Sequence, residues 1–232
     1  MKIATICPTH LLDTIELEPF HMALAQYLIS DTEYREFYRR LGRHGCHIIV
    51  DNGAAEGEFP EFQEVVRVAD YVEASEIILP DVLQDPLETI RRARAYAPAV
   101  QTWRRMIVPQ GADINEWYAC LRSLDVVIGY HSIGVPKHLK EARNLMTSAS
   151  YRGHPFHWLG IHSYPSSEVA RAGYLGVRSL DTGVAVAYAQ HDVRVKDFHQ
   201  RFSLDWEASA NRELIYLNIN DLKEASRAHL NE

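Results

Sequence analysis

The feature that most constrains this chain is a repeated unit: a short apolar run, a polar or glycine-containing cluster, then an amphipathic stretch, recurring along nearly all of its 232 residues. Unbroken apolar runs suit strands buried on both faces, and the stretches of helical period between them supply the helices that cover such strands. The runs are Lys2–Cys7, Met22–Leu28, Cys46–Val50, Glu76–Leu79, Arg105–Val108, Val126–Tyr130, His157–Ile161 and Val177–Leu180. Helical patterns fall at Asp31–Leu41, Pro60–Val72, Asp85–Tyr96, Asn115–Ser123, Lys137–Met146 and Ser166–Tyr174. Asp85 before Pro86 reads as an N-cap and first helical residue, and Ser166 or Ser167 as a cap for the helix containing Val169. The unit count predicts an α/β fold, a single (β/α)8 TIM-type barrel. Arg212–His229 is expected as an extra C-terminal helix, with Leu214, Leu217, Leu222 and Ala225 near one face. An open doubly wound sheet would share the alternation, but no GxGxxG or GxxxxGKS/T phosphate loop follows any strand.

No Pro/Gly/Ser-rich linker, charge block or low-complexity tract divides the chain, so residues 1–232 are read as one domain. Its barrel core would occupy about 1–190 and a C-terminal extension 191–232. The formal net charge of −7 disfavours a broad nucleic-acid-binding surface, although a local one is compatible with it. The short arginine groups at 39–43, 91–94 and 104–105 read as solvated helix faces. Three scattered cysteines, Cys7, Cys46 and Cys120, fit neither a disulfide framework nor a zinc site. With no apolar run of membrane-spanning length, the expectation is a cytoplasmic protein with free thiols, needing neither metal nor cofactor.

Strand after strand ends in polar residues: PTH at 8–10, DNG at 51–53, PD at 80–81, PQG at 109–111, HSIG at 131–134, HS at 162–163 and DTG at 181–183. In a barrel these ends converge on the face where the fold places its active sites. Asp51 and Asp181 follow strongly apolar strands, which would hold two carboxylates in a partly desolvated pocket, an arrangement suited to displacement at a sugar anomeric carbon. Asp81, Gln110 and Gly111 could read the edge of a purine-like ring, and Gly134 could let backbone approach a ligand. Tyr130, Tyr164 and Phe59 are candidate stacking partners for an extruded base, and Arg178, Arg152 and Lys137 candidate phosphate contacts. Two other readings compete. His10, His131 and His162 with Asp181 could serve a metal-dependent hydrolase on the same fold, and a barrel that binds a deazapurine or nucleic acid without turnover is the other.

The order of these segments resembles the tRNA-guanine transglycosylase superfamily. DNGAAEG (51–57), LPD (79–81), VPQG (108–111), SIGVP (132–136), HWLGIHS (157–163) and RSLDTG (178–183) stand where that family carries its DSGGFQ, Phe-Asp-Glu, VQGG, IGGLAVGE, LMGVG and late FD segments. The resemblance implies Asp181 as the nucleophile that bonds to the ribose or deoxyribose, Asp51 as general acid/base, and Asp81, Gln110 and Gly111 as nucleobase readers. Asn52, Gly134 and His162, in the same segments, join the substrate-binding set. It implies exchange of guanine for a 7-deazaguanine (preQ0-like) base in a polynucleotide. The chain lacks the CxCxxC…H zinc site of tRNA-acting members, and GVP replaces the LAVGE loop. This compact form is more similar to phage-type enzymes that place 7-deazaguanines in DNA, so DNA is expected ahead of tRNA as partner. The free base would be the other partner, and the enzyme a monomer or homodimer.

Overall fold

In the computed structural model, which describes residues 1–54, 57, 60–145, 150–161, 164–197 and 202–228, the chain forms the barrel. Its elements are β1 (Lys2–Thr5), a 3-10 turn (Thr9–Ile15), β2 (Phe20–Leu24), α1 (Ala25–Ser30), α2 (Thr32–Arg43), β3 (His47–Asp51), α3 (Phe62–Tyr71), β4 (Glu76–Ile78) and α4 (Pro86–Tyr96). They continue with β5 (Arg104–Ile107), α5 (Ile114–Val127), β6 (Ser132–Pro136), α6 (Lys140–Leu145), β7 (Ser150–Tyr151), β8 (His154–Leu159), α7 (Pro165–Tyr174), β9 (Ser179–Thr182), α8 (Val184–Gln190) and α9 (Arg212–Ala225).

Eight strands run parallel in the order β1-β9-β8-β6-β5-β4-β3-β2, while β7 pairs antiparallel with β8 outside the ring. No hydrogen-bonded ladder joins β1 to β2 among the described residues, yet the two lie side by side, so the barrel is nearly closed. Alternation along each strand sorts the side chains. Ala4, Phe20, Met22, Ile49, Ile78, Met106 and Val108 fill the barrel interior. Their neighbours, such as Ile48, Ile77, Ile107, Ile133, Trp158 and Leu180, face the helices in the larger annular core. Four helix starts carry a side-chain cap: Asp85 accepts from Glu88 N as expected, and Asp31 accepts from Tyr34 N, Asp113 from Glu116 N and Asn211 from Leu214 N.

Four local expectations need correction. The sixth strand is Ser132–Pro136 rather than Val126–Tyr130; Val126 and Val127 instead end α5, with Val126 83% exposed. A β-branched pair on a helix end imitates a strand, whereas the true strand contains a glycine because the interior has no room for more. A Cβ on Gly134 would lie 2.8 Å from Val108 Cγ2 and 3.0 Å from Leu159 Cδ1. The second strand ends at Leu24, and Ala25–Ser30 is already helix. Neither Ser166 nor Ser167 caps α7; Tyr164 stands at the N-cap and Pro165 at the first turn. The C-terminal helix is present as α9 and packs against α7, α8 and the 3-10 turn, through Ile215, Ile219 and Leu222 rather than the expected Leu217, which is 37% exposed. All three cysteines are free, and burial pushes Cys7 up to about 12 and Cys120 to about 11, so both stay as inert thiols at neutral pH. No helix among the described residues is long and apolar enough to cross a membrane.

Candidate active site

Parallel pairing in register carries each strand's last residues to the same end of the barrel: Leu24 sits beside Asp51, and Ala4 beside Asp181. There a cavity of about 400 Å³ opens, lined by Asp51, Asn52, Asp81, Gln110 and Asp181 among apolar residues such as Leu24, Val108 and Leu159. Asp51 and Asp181 come from strands three apart round the eight-stranded ring, so the cavity lies between them.

One pole of the cavity is an acid held between two amides. Asp81, 5% exposed, accepts from Asn52 Nδ2 on Oδ1 at 2.7 Å and from Gln110 Nε2 on Oδ2 at 2.6 Å. Asn52 also donates to Leu79 O at 2.8 Å, and Gln110 Oε1 accepts from Gln84 N at 3.3 Å, so both amides are fixed in orientation. Burial pushes the Asp81 carboxyl up to about 6, a rise that the hydrogen bonds from Asn52 and Gln110 only partly oppose. Asp51 stands next to this pole at the end of β3. Gly53 N donates to its Oδ2 at 3.3 Å while Ala54 N donates to Asn52 Oδ1 at 2.9 Å, a turn that leaves Ala54 in the cavity wall beside the two side chains.

The other pole is Asp181. Its Oδ1 accepts from Gly160 N at 3.1 Å and lies 3.0 Å from His157 Nε2. Gly160 has a left-handed backbone (φ +67°), and Arg143 fixes the loop around it. This buried guanidinium donates to Val135 O at 2.8 Å, Leu159 O at 2.6 Å, Gly160 O at 2.9 Å and Glu168 Oε1 at 2.6 Å. Arg143 thereby ties the ends of β6 and β8 to α7 and sets the direction of the Gly160 N–H.

The cavity's outer wall comes from the C-terminal extension. Phe202, Leu204 and Trp206 line it; Trp206 stacks on Tyr27 with centroids 4.2 Å apart, and Phe202 stacks on His191 at 4.2 Å. Gln190 clamps this segment, donating to Asp205 O at 2.6 Å and to Ala208 O at 3.1 Å and accepting from Asp205 N at 3.1 Å. Tyr164 lies at the mouth with φ +50°, a conformation costly for an aromatic residue and more so before proline.

Not every residue singled out from the sequence lies here. Gly111 and Gly134 do not line the cavity. A Cβ on Gly111 would meet Trp117 N at 2.5 Å, so that glycine admits the first turn of α5, and Gly134 serves interior packing. His162 and Phe59 lie outside the described residues. Of the phosphate candidates, Lys137 lines the cavity, whereas Arg178 and Arg152 lie at the opposite end of the barrel, paired with Glu76 and Asp125. Tyr130, bonded to Asp125, is at that end too. His131 precedes β6 and accepts from Arg105 N at 3.1 Å, and His10 bonds Ala208 O at 3.2 Å on the surface. The described histidines of the hydrolase reading therefore do not converge with Asp181, and no group of three potential metal ligands occurs among the described residues.

Neither a protein-family model nor a curated protein sequence matches the chain. Solved structures do resemble it. N-(5'-phosphoribosyl)anthranilate isomerase from Pyrococcus furiosus aligns at TM-score 0.52 and 12% identity, over 96% of this chain and 98% of that one. N-acetylneuraminate lyase from Mycoplasma synoviae aligns at 0.55 and 10%, over 78% of this chain and 68% of that one. A xylose isomerase-like TIM barrel/4-hydroxyphenylpyruvate dioxygenase fusion protein aligns at 0.55 and 11%, over 99% of this chain and 43% of that one. The chain has the TIM-barrel fold. At such identities the likeness is one of fold, and the chemistry has to be argued from the cavity.

Sequence reasoning missed three contributors: His157, Arg143 and the 202–206 segment. His157 was findable, because His157 and Leu159 share the inward period of Ser179 and Asp181. So was FSLDW at 202–206, whose apolar residues alternate. Arg143 carried no signal, since a single arginine in an amphipathic stretch reads as solvated.

Proposed function

We propose that this protein is an enzyme, a base-exchange pentosyltransferase of the tRNA-guanine transglycosylase type, replacing guanine in a polynucleotide, DNA ahead of tRNA, with a free 7-deazaguanine. The observation that carries the reading is that Asp51 and Asp181 line one cavity on either side of a space able to hold a nucleoside, next to a fixed acid–amide pole. In the first half-reaction Asp181 attacks C1′ as the C1′–N9 bond breaks, and protonated Asp51 gives its proton to the departing guanine. In the second, Asp51 takes the N9 proton of the incoming base, N9 attacks C1′, and the ester bond to Asp181 breaks. Both carboxyls return to their starting states. A duplex would have to extrude the target nucleotide to reach the cavity, and Tyr164 and Lys137 at the mouth would meet its flanks.

The test is direct. DNA and, separately, tRNA carrying radiolabelled guanine are incubated with the protein and an unlabelled 7-deazaguanine base. Release of label matched by incorporation of the deazaguanine supports base exchange, and full retention of label in both polymers refutes it.

Asp81 makes a separable prediction. Its ionised form accepts from the N–H edge of a guanine-like base, and the protonated form loses that capacity. Because burial lifts its carboxyl to about 6, kcat/KM for the free base is expected to fall as pH drops through about 6. Asp81→Asn should lower kcat/KM throughout and remove that limb of the profile. A variant that keeps the limb places the titration elsewhere.

A further inference from the structure

Below the cavity a line of polar side chains runs down the inside of the barrel. At its far end Glu76, fully buried, accepts from Arg178 Nη1 at 2.9 and 3.3 Å and from the Ser132 hydroxyl, with His47 Nε2 at 3.4 Å. Burial alone would raise the Glu76 carboxyl, but His47, the Arg178 charge and Ser132 together hold it down at about 2. This ion pair anchors Arg178, whose Nε donates to Ser179 Oγ at 3.2 Å. Ser179 Oγ lies 2.8 Å from His157 Nδ1, and His157 Nε2 lies 3.0 Å from Asp181 Oδ1. His157 and Ser179 are both fully buried.

The hydrogens follow from counting donors. Arginine only donates, so the Arg178 N–H points at Ser179. The serine has one proton, and His157 Nδ1 is its acceptor. An ionised Asp181 only accepts, so His157 Nε2 carries a proton toward it. The line Arg178→Ser179→His157→Asp181 then has one donor for each acceptor. An imidazolium at His157 would leave the Ser179 hydroxyl proton without an acceptor among the described residues, and an Nδ1–H tautomer would set a bare ring nitrogen against a carboxylate oxygen.

We infer that His157 is a positioning residue for Asp181, held as the neutral Nε2–H tautomer by Arg178 and Ser179, so that Oδ1 is occupied and Oδ2 is turned to the cavity. With the Gly160 N–H, it fills Oδ1 with two donors and stops the carboxylate from rotating. The role in catalysis rests on the reading of Asp181 as nucleophile; the tautomer does not.

Two measurements separate these parts. Long-range 1H–15N spectra of histidine-labelled wild-type protein, with His157 assigned by the signals lost in His157→Gln, should show a protonated Nε2 and an unprotonated Nδ1 at neutral pH. An Nδ1–H tautomer or an imidazolium would overturn the inference. Single-turnover formation of the covalent Asp181 adduct should slow about 10²-fold in His157→Leu, which lacks a donor. It should return to within about tenfold of wild type in His157→Gln, whose amide can place an N–H at the same point. KM for the free base should be unchanged in both. A folded His157→Leu protein with the wild-type adduct rate, or a Gln variant no faster than Leu, would overturn the inference. If Leu does not fold, the wild-type spectrum and the Gln rate still decide. An Nε2–H tautomer in a wild-type protein that forms no adduct with DNA or tRNA upholds the orientation of Asp181 and removes base exchange as its purpose.

Discussion

Asp181→Ala is expected to lower base exchange by at least about 10⁴-fold, because a reaction through a covalent sugar–enzyme ester has no bypass of similar height once the attacking oxygen is gone. The residual rate should resemble that of a site that still binds and orients but cannot attack. Alanine also strips a partner from the Gly160 N–H and from His157, each a buried donor whose desertion costs about 1–3 kcal/mol, so a lower Tm is expected with it. Asp181→Asn removes that ambiguity. Its amide oxygen can still accept from both donors while being a far poorer nucleophile, so the Asn protein should keep its stability and lose the exchange. Denaturing electrophoresis of protein mixed with labelled DNA reads the adduct itself: a band for wild type, none for either variant. Near-normal exchange in Asp181→Ala would remove the nucleophile and the mechanism with it.

Why Asp181 is plain in the sequence and His157 less so comes down to how much of a barrel is written locally. A strand buried on both faces needs an unbroken apolar run, so β1, β3, β4, β5, β8 and β9 stand out in the chain. The residue at which such a run turns polar is forced to the barrel's mouth, and Asp51, Asp81 and Asp181 are legible for that reason. β6 is illegible because its interior positions are Ser132, Gly134 and Pro136, selected by contact with Met106, Val108 and Leu159 from neighbouring strands. Nothing within residues 132–136 announces those neighbours, while Val126 and Val127 imitate what a strand should look like. The same limit explains the displaced arginines. Arg178 lies three positions before Asp181, yet one strand's length carries it to the other end of the barrel, where Glu76 claims it.

The bonds that aim the site are the least local of all. Arg143 acts through three carbonyls and a carboxylate spread over residues 135–168, and the outer wall at 202–206 is held by Gln190, fifteen positions before Asp205. Pattern reading finds the polar groups that line the cavity because strand ends expose them; it misses a group such as Arg143 because its partners are chosen by tertiary contact.

Asp51→Asn is expected to slow exchange by about 10²–10⁴-fold, the range for loss of a general acid/base, and the size of the loss should depend on the leaving group. Guanine departs from C1′ as an anion unless a proton reaches it, and Asp51 is the carboxyl at hand on the base side of the cavity, next to Asn52 and its bond to Asp81. A polymer carrying 7-methylguanine needs no such proton, because that base is cationic while attached and leaves neutral. With this substrate the first half-reaction of Asp51→Asn should recover most of the lost rate, while the return of a free 7-deazaguanine, which must shed its N9 proton, stays slow. Asparagine keeps an oxygen for the Gly53 N–H, so the turn after β3 should survive the change. An equal loss for guanine and 7-methylguanine would assign Asp51 to binding or to field effects rather than proton transfer. An unchanged rate with both would leave the cavity with one working carboxylate, and a two-carboxyl displacement could not be its chemistry.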